Sequence, residues 1–311
     1  MRALVTGGSG FVGTHLSRLL RESGAEVFVA GRARDSEPVD VVLELDDPAS
    51  VRGAVDAAAP DVVFHLAAQA FVPESVADPL ATYDVNALGT ARLFEALRGL
   101  PTPPRVVLAS SAEVYGSRER TDYPLHETLA TRPATPYAAS KVAAEAIAQA
   151  AWRTYAVPVV VARAFNHIGP GQDPRFAIPA FALQLARVAA GGPPLIKVGN
   201  LDALRDFLDV RDVVAAYAAL AERGRVGETY NVCSGKPVSL KEMLRRLITI
   251  AGVAVEVRED PARMRPSDVP SSYGDPAKLG ADTGWEPHTT LDAALRRVYE
   301  DAYLRVRSNG P

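Results

Sequence analysis

The chain has 311 residues, of which 48% are hydrophobic and 23% are charged, an ordinary composition for a globular protein with a buried core. Its formal net charge of −3 gives no electrostatic reason to expect nucleic acid or an anionic membrane as a partner. No apolar run reaches the roughly 20 residues of a membrane-spanning helix, and the single cysteine, Cys233, excludes an intramolecular disulfide. We therefore expect a cytoplasmic protein, with no signal peptide before its first strand.

The first predicted elements are a short buried strand over 3–5 and a helix over 11–20, joined by a turn with glycine at every third position. Glycine lets the backbone turn tightly and approach a pyrophosphate closely. The N-terminus of the helix then presents free N–H groups to the phosphates. The turn therefore predicts a dinucleotide site, and the residues assigned to it are Gly7, Gly10, Phe11, Val12 and Gly13.

Strand and helix signals alternate through the first half of the chain. Runs of β-branched residues predict strands over 26–30, 41–45, 62–66, 105–109 and 159–163. Amphipathic helices are predicted between them, over 48–58, 79–98 and 136–155. Such alternation indicates an α/β fold, a Rossmann-type doubly wound parallel sheet that binds ligands at the carboxyl ends of its strands.

After residue 166 glycine, proline and arginine become frequent and strands become sparse. Segments 207–210 and 230–232 are predicted to return to the main sheet. The helices over 240–252 and 291–303 indicate a smaller, mixed α/β substrate domain. The predicted division is a cofactor domain, 1–165 plus about 205–234, and a nucleotide-sugar domain, 166–204 plus 235–311.

The end of the second strand indicates which nicotinamide cofactor binds. A carboxylate at that point would repel a 2′-phosphate, but the first one in the sequence is Asp35. Arg32 can instead pair with the phosphate, so we favour NADP(H) over NAD(H), although an ordinary solvated arginine is the alternative.

Two further strand ends are predicted to line the cofactor. Glu44 and Leu45 end the third strand, where an adenine edge would lie. Ala67 and Ala68 follow the fourth strand, and their small side chains let the backbone approach the cofactor. His65 sits inside that apolar strand, so it is predicted to be a packed core histidine and not a catalyst.

A tyrosine and a lysine four residues apart, Tyr137 and Lys141, lie on one face of the predicted helix over 136–155. Tyrosine has a reference pKa near ~10, and a nearby ammonium is expected to lower that pKa toward a usable range. Ser111 follows the fifth strand and could hydrogen-bond a carbonyl oxygen beside the phenol. A tyrosine and a lysine at this spacing are common on helices by chance. When they follow a glycine turn and a strand that ends in serine, the pattern is a specific signal of a catalytic pair.

The motifs GGSGFVG, HLAAQ, SSAEVYG, PYAASK and RAFNHIGPGQ together resemble those of the extended short-chain dehydrogenase/reductase family of nucleotide-sugar enzymes. By that resemblance Ser111, Tyr137 and Lys141 form a catalytic triad, with Tyr137 and Lys141 also at the cofactor. Asn86 would stabilise the sheet edge near the nicotinamide, or be an ordinary polar helix residue. The resemblance also implies a homodimer through a four-helix bundle, although the apolar faces concerned could equally be internal core.

Within that family, the segments 163–172, 198–202, 205–207 and 265–270 look most like GDP-4-keto-6-deoxy-D-mannose reductases. The resemblance implies a GDP-linked sugar whose C4 ketone is reduced to give GDP-D-rhamnose, or its C4 epimer if hydride arrives on the other face. It also assigns substrate contacts: Asn166 faces substrate and cofactor, Arg205 and Arg265 bind the diphosphate, and Lys197 lines the guanine pocket. No metal site is predicted.

Glu113 leaves a second reaction open. Sugar 4,6-dehydratases of this family carry Ser/Thr-x-Glu, in which the glutamate removes the C5 proton, and Ser111-Ala112-Glu113 fits that pattern. A GDP-mannose 4,6-dehydratase is therefore the first alternative, followed by another nucleotide-sugar epimerase or reductase. The alternative outside enzymes is a cofactor-binding scaffold, and the presence of Tyr137, Lys141 and the glycines argues against it.

Overall fold

The computed structural model describes residues 1–33, 38–263 and 269–308. Its largest element is a seven-stranded parallel sheet in the order β10-β6-β5-β4-β1-β2-β3. The strands of this main sheet are β1 (Arg2–Thr6), β2 (Glu26–Gly31), β3 (Val41–Val42), β4 (Val62–His65), β5 (Arg105–Ser111), β6 (Val159–Ala164) and β10 (Thr229–Val232). The Rossmann-type doubly wound fold predicted from the sequence is confirmed.

Helices cover both faces of the main sheet because successive strand residues point to opposite sides. In β1, Ala3 and Val5 join the core of one face, while Leu4 joins the core of the other. The first face carries α1 (Phe11–Glu22), α8 (Val210–Arg223) and α10 (Ala277–Thr283). The second face carries α2 (Pro48–Ala58), α5 (Gly89–Leu97) and α6 (Pro136–Tyr155).

A smaller part of the molecule packs around its own apolar core, beyond the carboxyl edge of the main sheet. Its helices are α7 (Ala177–Ala189), α9 (Leu240–Ala251) and α11 (Leu291–Ser308). In its four-stranded sheet, β9 (Leu204–Asp209) pairs with β7 (Asn166–Ile168), β11 (Pro237–Ser239) and β13 (Ser271–Ser272). A separate two-stranded sheet consists of β8 (Leu195–Val198) and β12 (Glu256–Glu259).

The prediction that 207–210 returns to the main sheet is wrong, whereas the prediction for 230–232 is confirmed. Residues Leu204–Asp209 form β9 in the smaller sheet. The strand ends there because the Asp209 side chain accepts a hydrogen bond from Arg211 N and caps α8. The short apolar run was correctly read as a strand, but periodicity does not say which sheet a strand joins.

The predicted continuous helix over 79–98 is interrupted. The chain forms α3 (Val72–Ala77) and α4 (Pro79–Tyr83), then a π-helical turn over Asp84–Leu88, and only then α5. In the wide turn, Gly89 N donates to the carbonyl of Asp84, five residues earlier. None of the helices in the described ranges is both long and apolar enough to cross a membrane.

Candidate active site

The glycine turn between β1 and α1 is packed so closely that side chains would not fit. Gly7 has a positive φ of 67°, and a Cβ there would lie 2.8 Å from Ala67 N. A Cβ on Gly13 would lie 2.2 Å from the Gly7 carbonyl oxygen, so the helix meets the turn backbone directly. The N-cap residue of α1 is Gly10, which has no side chain to cap the helix, and the first turn of α1 contains no acidic residue. The cradle therefore fits an anionic pyrophosphate, which the free N–H groups and helix dipole would hold.

The residues predicted on the adenine side lie around the ends of β2, β3 and β4. Arg32 directly follows β2, and the Glu44 carboxylate accepts a hydrogen bond from Ala33 N at 3.3 Å. Leu45 lies against Gly89, where a Cβ would come within 2.8 Å of the Leu45 side chain. Ala67 N donates to Thr6 Oγ1 at 3.2 Å, which ties the loop after β4 to the end of β1. Ala68 follows in the same loop.

The structure brings three of the predicted catalytic side chains together at the carboxyl edge of the main sheet. Ser111 ends β5, Tyr137 lies in the first turn of α6, and the Ser111 side chain lies close enough to the Tyr137 hydroxyl to lower its pKa. Glu113 lies close enough for its charge to affect the phenol. The pKa of Tyr137 is raised to about 12, mainly by burial of the phenol. The nearby Ser111 side chain lowers this pKa, and the charge of Glu113 raises it.

This pKa shift is opposite to the one expected from the sequence. We expected Lys141 to lower the pKa of Tyr137, but in the structure burial has the larger effect. A phenol with a pKa of about 12 keeps its proton throughout the neutral range. The side chain is therefore ready to donate a proton, and it would need a change in its surroundings to accept one.

Lys141 lies one helical turn after Tyr137 and is 7% exposed. Its Nζ donates to the Ala109 carbonyl oxygen on β5 at 2.9 Å. Burial lowers the pKa of Lys141 to about 8, against the charge of Glu145, which raises it. The ammonium is therefore mostly charged near neutral pH, although it is held in a buried position.

A buried polar network behind the triad was missed by the sequence analysis. Glu145, on α6, accepts from Ser110 Oγ and forms an ion pair with Arg163 of β6 at 2.7 Å. The two side chains are 10% and 8% exposed, respectively. Glu145 follows Lys141 by four residues, so helical spacing was the signal that could have placed it beside the lysine. The network fixes α6, which carries Tyr137 and Lys141, against β5 and β6.

His65 is a packed core residue, as predicted from its place in an apolar strand. It is 2% exposed, with Nδ1 2.8 Å from Thr6 Oγ1 and Nε2 3.0 Å from Thr90 Oγ1. Burial, together with the smaller effect of the Lys141 charge, lowers the pKa of His65 to about 3. The imidazole is therefore neutral at physiological pH and serves to join β4, β1 and α5.

Asn86 lies in the π-helical turn and is 2% exposed. Its side chain accepts from Gln69 N at 2.8 Å and donates to the Gln69 carbonyl and to Ser140 Oγ, each at 2.9 Å. Ser140 Oγ in turn donates to the Tyr137 carbonyl at 2.7 Å. Asn86 thus connects the loop after β4 to the backbone of Tyr137, a position compatible with its predicted role at the sheet edge.

The predicted substrate residues are spread over the smaller part of the molecule. Asn166 begins β7 and pairs in register with Phe207, two residues beyond Arg205 on β9. The Arg205 guanidinium donates to the Leu204 carbonyl at 2.8 Å. Lys197 is exposed on β8 in the separate two-stranded sheet. Arg265 lies outside the described residues, so its assignment to the diphosphate stays a prediction.

Comparison with known proteins gives the family. The model of the family described as GDP-mannose 4,6 dehydratase matches residues 4–298. GDP-6-deoxy-D-mannose reductase of Pseudomonas aeruginosa is 40% identical over 98% of this chain and 98% of its own. GDP-6-deoxy-D-talose 4-dehydrogenase of Aggregatibacter actinomycetemcomitans is 33% identical over 98% of this chain and 99% of its own. The solved structure of RMD from Pseudomonas aeruginosa complexed with NADPH has a TM-score of 0.90 and 39% identity, covering 98% of this chain and 99% of that chain.

The fold and these relatives define the class: an NAD(P)-dependent nucleotide-sugar enzyme of the oxidoreductase and epimerase group. More particularly, the chain belongs to the extended short-chain dehydrogenase/reductase family of nucleotide-sugar enzymes. The resemblance drawn from the sequence motifs is confirmed by these matches.

The buried position of Lys141 predicts a pH dependence of cofactor affinity. If Lys141 holds the cofactor ribose, its ammonium is the form that binds, and in the free protein that form is lost above a pKa of about 8. Relative to its value near pH 7, we expect NADPH affinity to fall above about pH 8, by at most about tenfold per unit. Lys141→Met should bind NADPH more weakly than the wild type, and its NADPH affinity should not fall above about pH 8. Fluorescence titrations measure both, and a wild-type affinity that is unchanged across this range contradicts the assignment.

Proposed function

We propose that this protein reduces the C4 ketone of GDP-4-keto-6-deoxy-D-mannose with NADPH and forms GDP-D-rhamnose. The observation that carries the proposal is the convergence of Ser111 and Tyr137 at the carboxyl edge of the sheet, with Lys141 fixed one helical turn further along α6 by its bond to the Ala109 carbonyl. Similarity to GDP-6-deoxy-D-mannose reductase extends over 98% of both chains, so it includes the substrate-binding half as well as the cofactor-binding half.

Each catalytic side chain has a separate part in this reaction. The nicotinamide cofactor supplies the hydride for the sugar carbonyl carbon. Tyr137 donates its proton to the C4 oxygen as negative charge develops there, and Ser111 hydrogen-bonds the same oxygen. Lys141, fixed by its bond to the Ala109 carbonyl, holds the cofactor ribose and keeps positive charge near the phenol. With a pKa of about 12 the Tyr137 phenol is protonated at neutral pH, as the proton donor of a reduction must be.

The arginines of the smaller part of the molecule would bind the sugar nucleotide. A diphosphate is best held by several fixed guanidinium groups, which can donate two parallel hydrogen bonds each. Arg205 meets this requirement on β9, and Arg265 is assigned the same role from the sequence. Asn166 faces the sugar and Lys197 lines the base pocket in this proposal. A GDP-linked sugar is therefore the partner that fits these residues best.

The decisive experiment is product identification. GDP-4-keto-6-deoxy-D-mannose is added to protein and NADPH, absorbance follows cofactor oxidation, and NMR assigns the C4 configuration of the product. Stoichiometric oxidation with GDP-D-rhamnose as product supports the proposal. GDP-6-deoxy-D-talose, the sugar named in the second relative, would show that hydride arrives on the opposite face. No oxidation with this substrate would refute the proposal.

Glu113 and the matching family model favour a second candidate, GDP-mannose 4,6-dehydratase. The carboxylate lies near Tyr137, where it could take the C5 proton of a 4-keto sugar. This reaction consumes GDP-mannose without net oxidation of the cofactor. Incubation with GDP-mannose alone therefore separates the two candidates, because a reductase leaves that sugar unchanged.

NADPH is the proposed cofactor because Arg32 follows β2 at the position where a 2′-phosphate would lie. We expect Arg32→Ala to weaken NADPH binding by about tenfold and to leave NADH binding nearly unchanged, because only NADPH carries the charge that Arg32 pairs with. Arg32→Lys keeps the positive charge, so its NADPH affinity should lie between those of the wild type and Arg32→Ala. Dissociation constants for both cofactors measure the effect, and an unaltered NADPH/NADH ratio in Arg32→Ala excludes this role.

We also propose a homodimer through two helical segments that lie side by side on the second face of the sheet, namely α6 and the unbroken run of α4, the π-helical turn and α5. Leu80 and Leu88 are 77% and 53% exposed, and Ala146 and Ala150 form an exposed small-residue face of α6. A second copy placed there would complete a four-helix bundle. Sedimentation of the wild type against Ala146→Glu tests the interface, since a buried glutamate would dissociate the dimer.

A further inference from the structure

A loop of the smaller part of the molecule, residues 169–176, reaches back to the cofactor turn; we call it the strap. At its first end, His15 Nε2 donates to the Pro170 carbonyl at 2.9 Å. Immediately before the strap, the His167 ring stacks on Phe11 with centroids 5.9 Å apart. Phe11 and His15 both belong to the first turns of α1, the helix that begins at the glycine turn.

The other end of the strap contacts the segment that follows β4. The Arg175 guanidinium lies 4.8 Å from the Phe71 ring centroid and 3.4 Å from the Glu74 carboxylate. The ring of Phe176 meets the same Phe71 ring edge-on, with centroids 5.7 Å apart. Asp173 accepts from Arg175 Nε at 2.9 Å and from Arg175 N at 2.8 Å, so the arginine side chain is directed from within the strap.

The two ends of the strap thus lie beyond two neighbouring strands of the main sheet, β1 and β4. In doubly wound sheets a dinucleotide lies along the carboxyl ends of these central strands. The segment after β4 that Arg175 contacts is also joined to α6, because Ser75 Oγ accepts a hydrogen bond from Tyr137 N at 3.2 Å. The strap therefore crosses the cofactor groove, and the elements that hold it also support the phenol.

We propose that the strap closes over bound cofactor and that Arg175 is the positioning residue that keeps it closed, so that strap opening controls cofactor release. Arg175 and Glu74 are each 55% exposed, and an exposed ion pair and an exposed cation–π contact are both weak. A weak latch suits a protein that must exchange cofactor in each turnover. The proposal rests on the proposed reductase function, in which oxidised cofactor leaves after each reaction, and it does not depend on which sugar is reduced.

The test measures NADPH release directly. Protein loaded with NADPH is mixed with excess NADP⁺, and the loss of NADPH fluorescence gives the dissociation rate. We expect Arg175→Ala to release NADPH about threefold to tenfold faster than the wild type, and Glu74→Gln to show part of that increase. Arg187→Ala is the matched control, because Arg187 is an exposed arginine on the following helix, and its release rate should equal that of the wild type.

Salt gives a readout that a general loss of structure would not produce. Screening weakens the Arg175–Glu74 pair in the wild type, so the ratio of the Arg175→Ala rate to the wild-type rate should fall as salt rises from about 0.01 M to about 1 M. A release rate in Arg175→Ala equal to that of Arg187→Ala overturns the proposal.

A second variant covers the case in which Arg175→Ala does not fold. Phe71→Leu keeps an apolar side chain at the anchor but removes the ring that Arg175 and Phe176 contact. Faster NADPH release in Phe71→Leu supports the strap, and an unchanged rate contradicts it. If these variants release cofactor faster while GDP-4-keto-6-deoxy-D-mannose is not reduced, the proposed function fails and the strap stands.

Discussion

Replacement of Tyr137 by phenylalanine is expected to reduce turnover by about 10²- to 10⁴-fold, the usual contribution of a positioned general acid. The phenol is the group whose pKa, raised to about 12 by burial, keeps a proton available beside Ser111. Phenylalanine fills nearly the same volume, and the hydrogen bond from the backbone N of residue 137 to Ser75 Oγ remains. The loss should therefore fall on kcat, with NADPH affinity largely unchanged.

The matched control for this variant is Tyr115→Phe. Tyr115 is another fully buried tyrosine of the same region, and its hydroxyl donates to Asn231 at 2.7 Å, away from the triad. That variant is expected to lose stability and to keep most of its turnover. Stopped-flow and steady-state measurements on both proteins compare the effects. Equal turnover in the wild type and Tyr137→Phe would show that the proton comes from elsewhere.

Breaking the buried ion pair between Arg163 and Glu145 is expected to lower the free energy of unfolding by about 3–5 kcal/mol. Arg163→Met leaves the Glu145 carboxylate buried, with Ser110 as its remaining hydrogen-bond donor. A buried charge without its counter-charge loses hydration and gains little in return. Urea denaturation of the wild type and Arg163→Met measures the difference.

The double variant Arg163→Met/Glu145→Met separates the cost of an unpaired charge from the value of the pair. Replacing both partners with apolar side chains of similar volume should recover part of the stability, because the Glu145 charge is no longer left without Arg163, while Lys141 loses the nearby charge that raises its pKa. If the double variant is as unstable as Arg163→Met, loss of packing and not the unpaired carboxylate is responsible.

The best sequence predictions are those in which a local signal decided the structure. The helix over 136–155 was predicted with its observed bounds, and Pro136 at its start was the local signal. In the structure Thr135 caps this helix, and the chain leaves it at Ala156 with a positive φ. The glycine turn and the Ser111–Tyr137 pair depend on the same kind of local information. In a doubly wound sheet the carboxyl ends of the strands and the N-termini of the helices that follow them lie at the same edge, so a serine that ends a strand and a tyrosine that begins a helix are both placed there.

The features that could not be predicted depend on contacts between distant segments. The strand predicted over 41–45 pairs only over Val41–Val42, because Glu44 turns away, its N donating to Ser50 Oγ and its carboxylate accepting from Ala33 N. The expected shift of the Tyr137 pKa had the wrong direction, since burial cannot be read from the spacing of Tyr137 and Lys141. The strap was missed for the same reason, because Arg175 and Phe71 are far apart in the sequence.

The wide turn at Asp84–Leu88 makes the length of this segment adjustable. A π-type turn accommodates one more residue than an α-helical turn over the same rise, so deleting one residue there would convert 79–97 into regular helix. The helical hydrogen bonds of α4 and α5 would remain, but the Asn86 side chain would turn away from Gln69 and Ser140. A homologue shortened by one residue at this point should therefore fold normally and support its catalytic tyrosine by some other side chain.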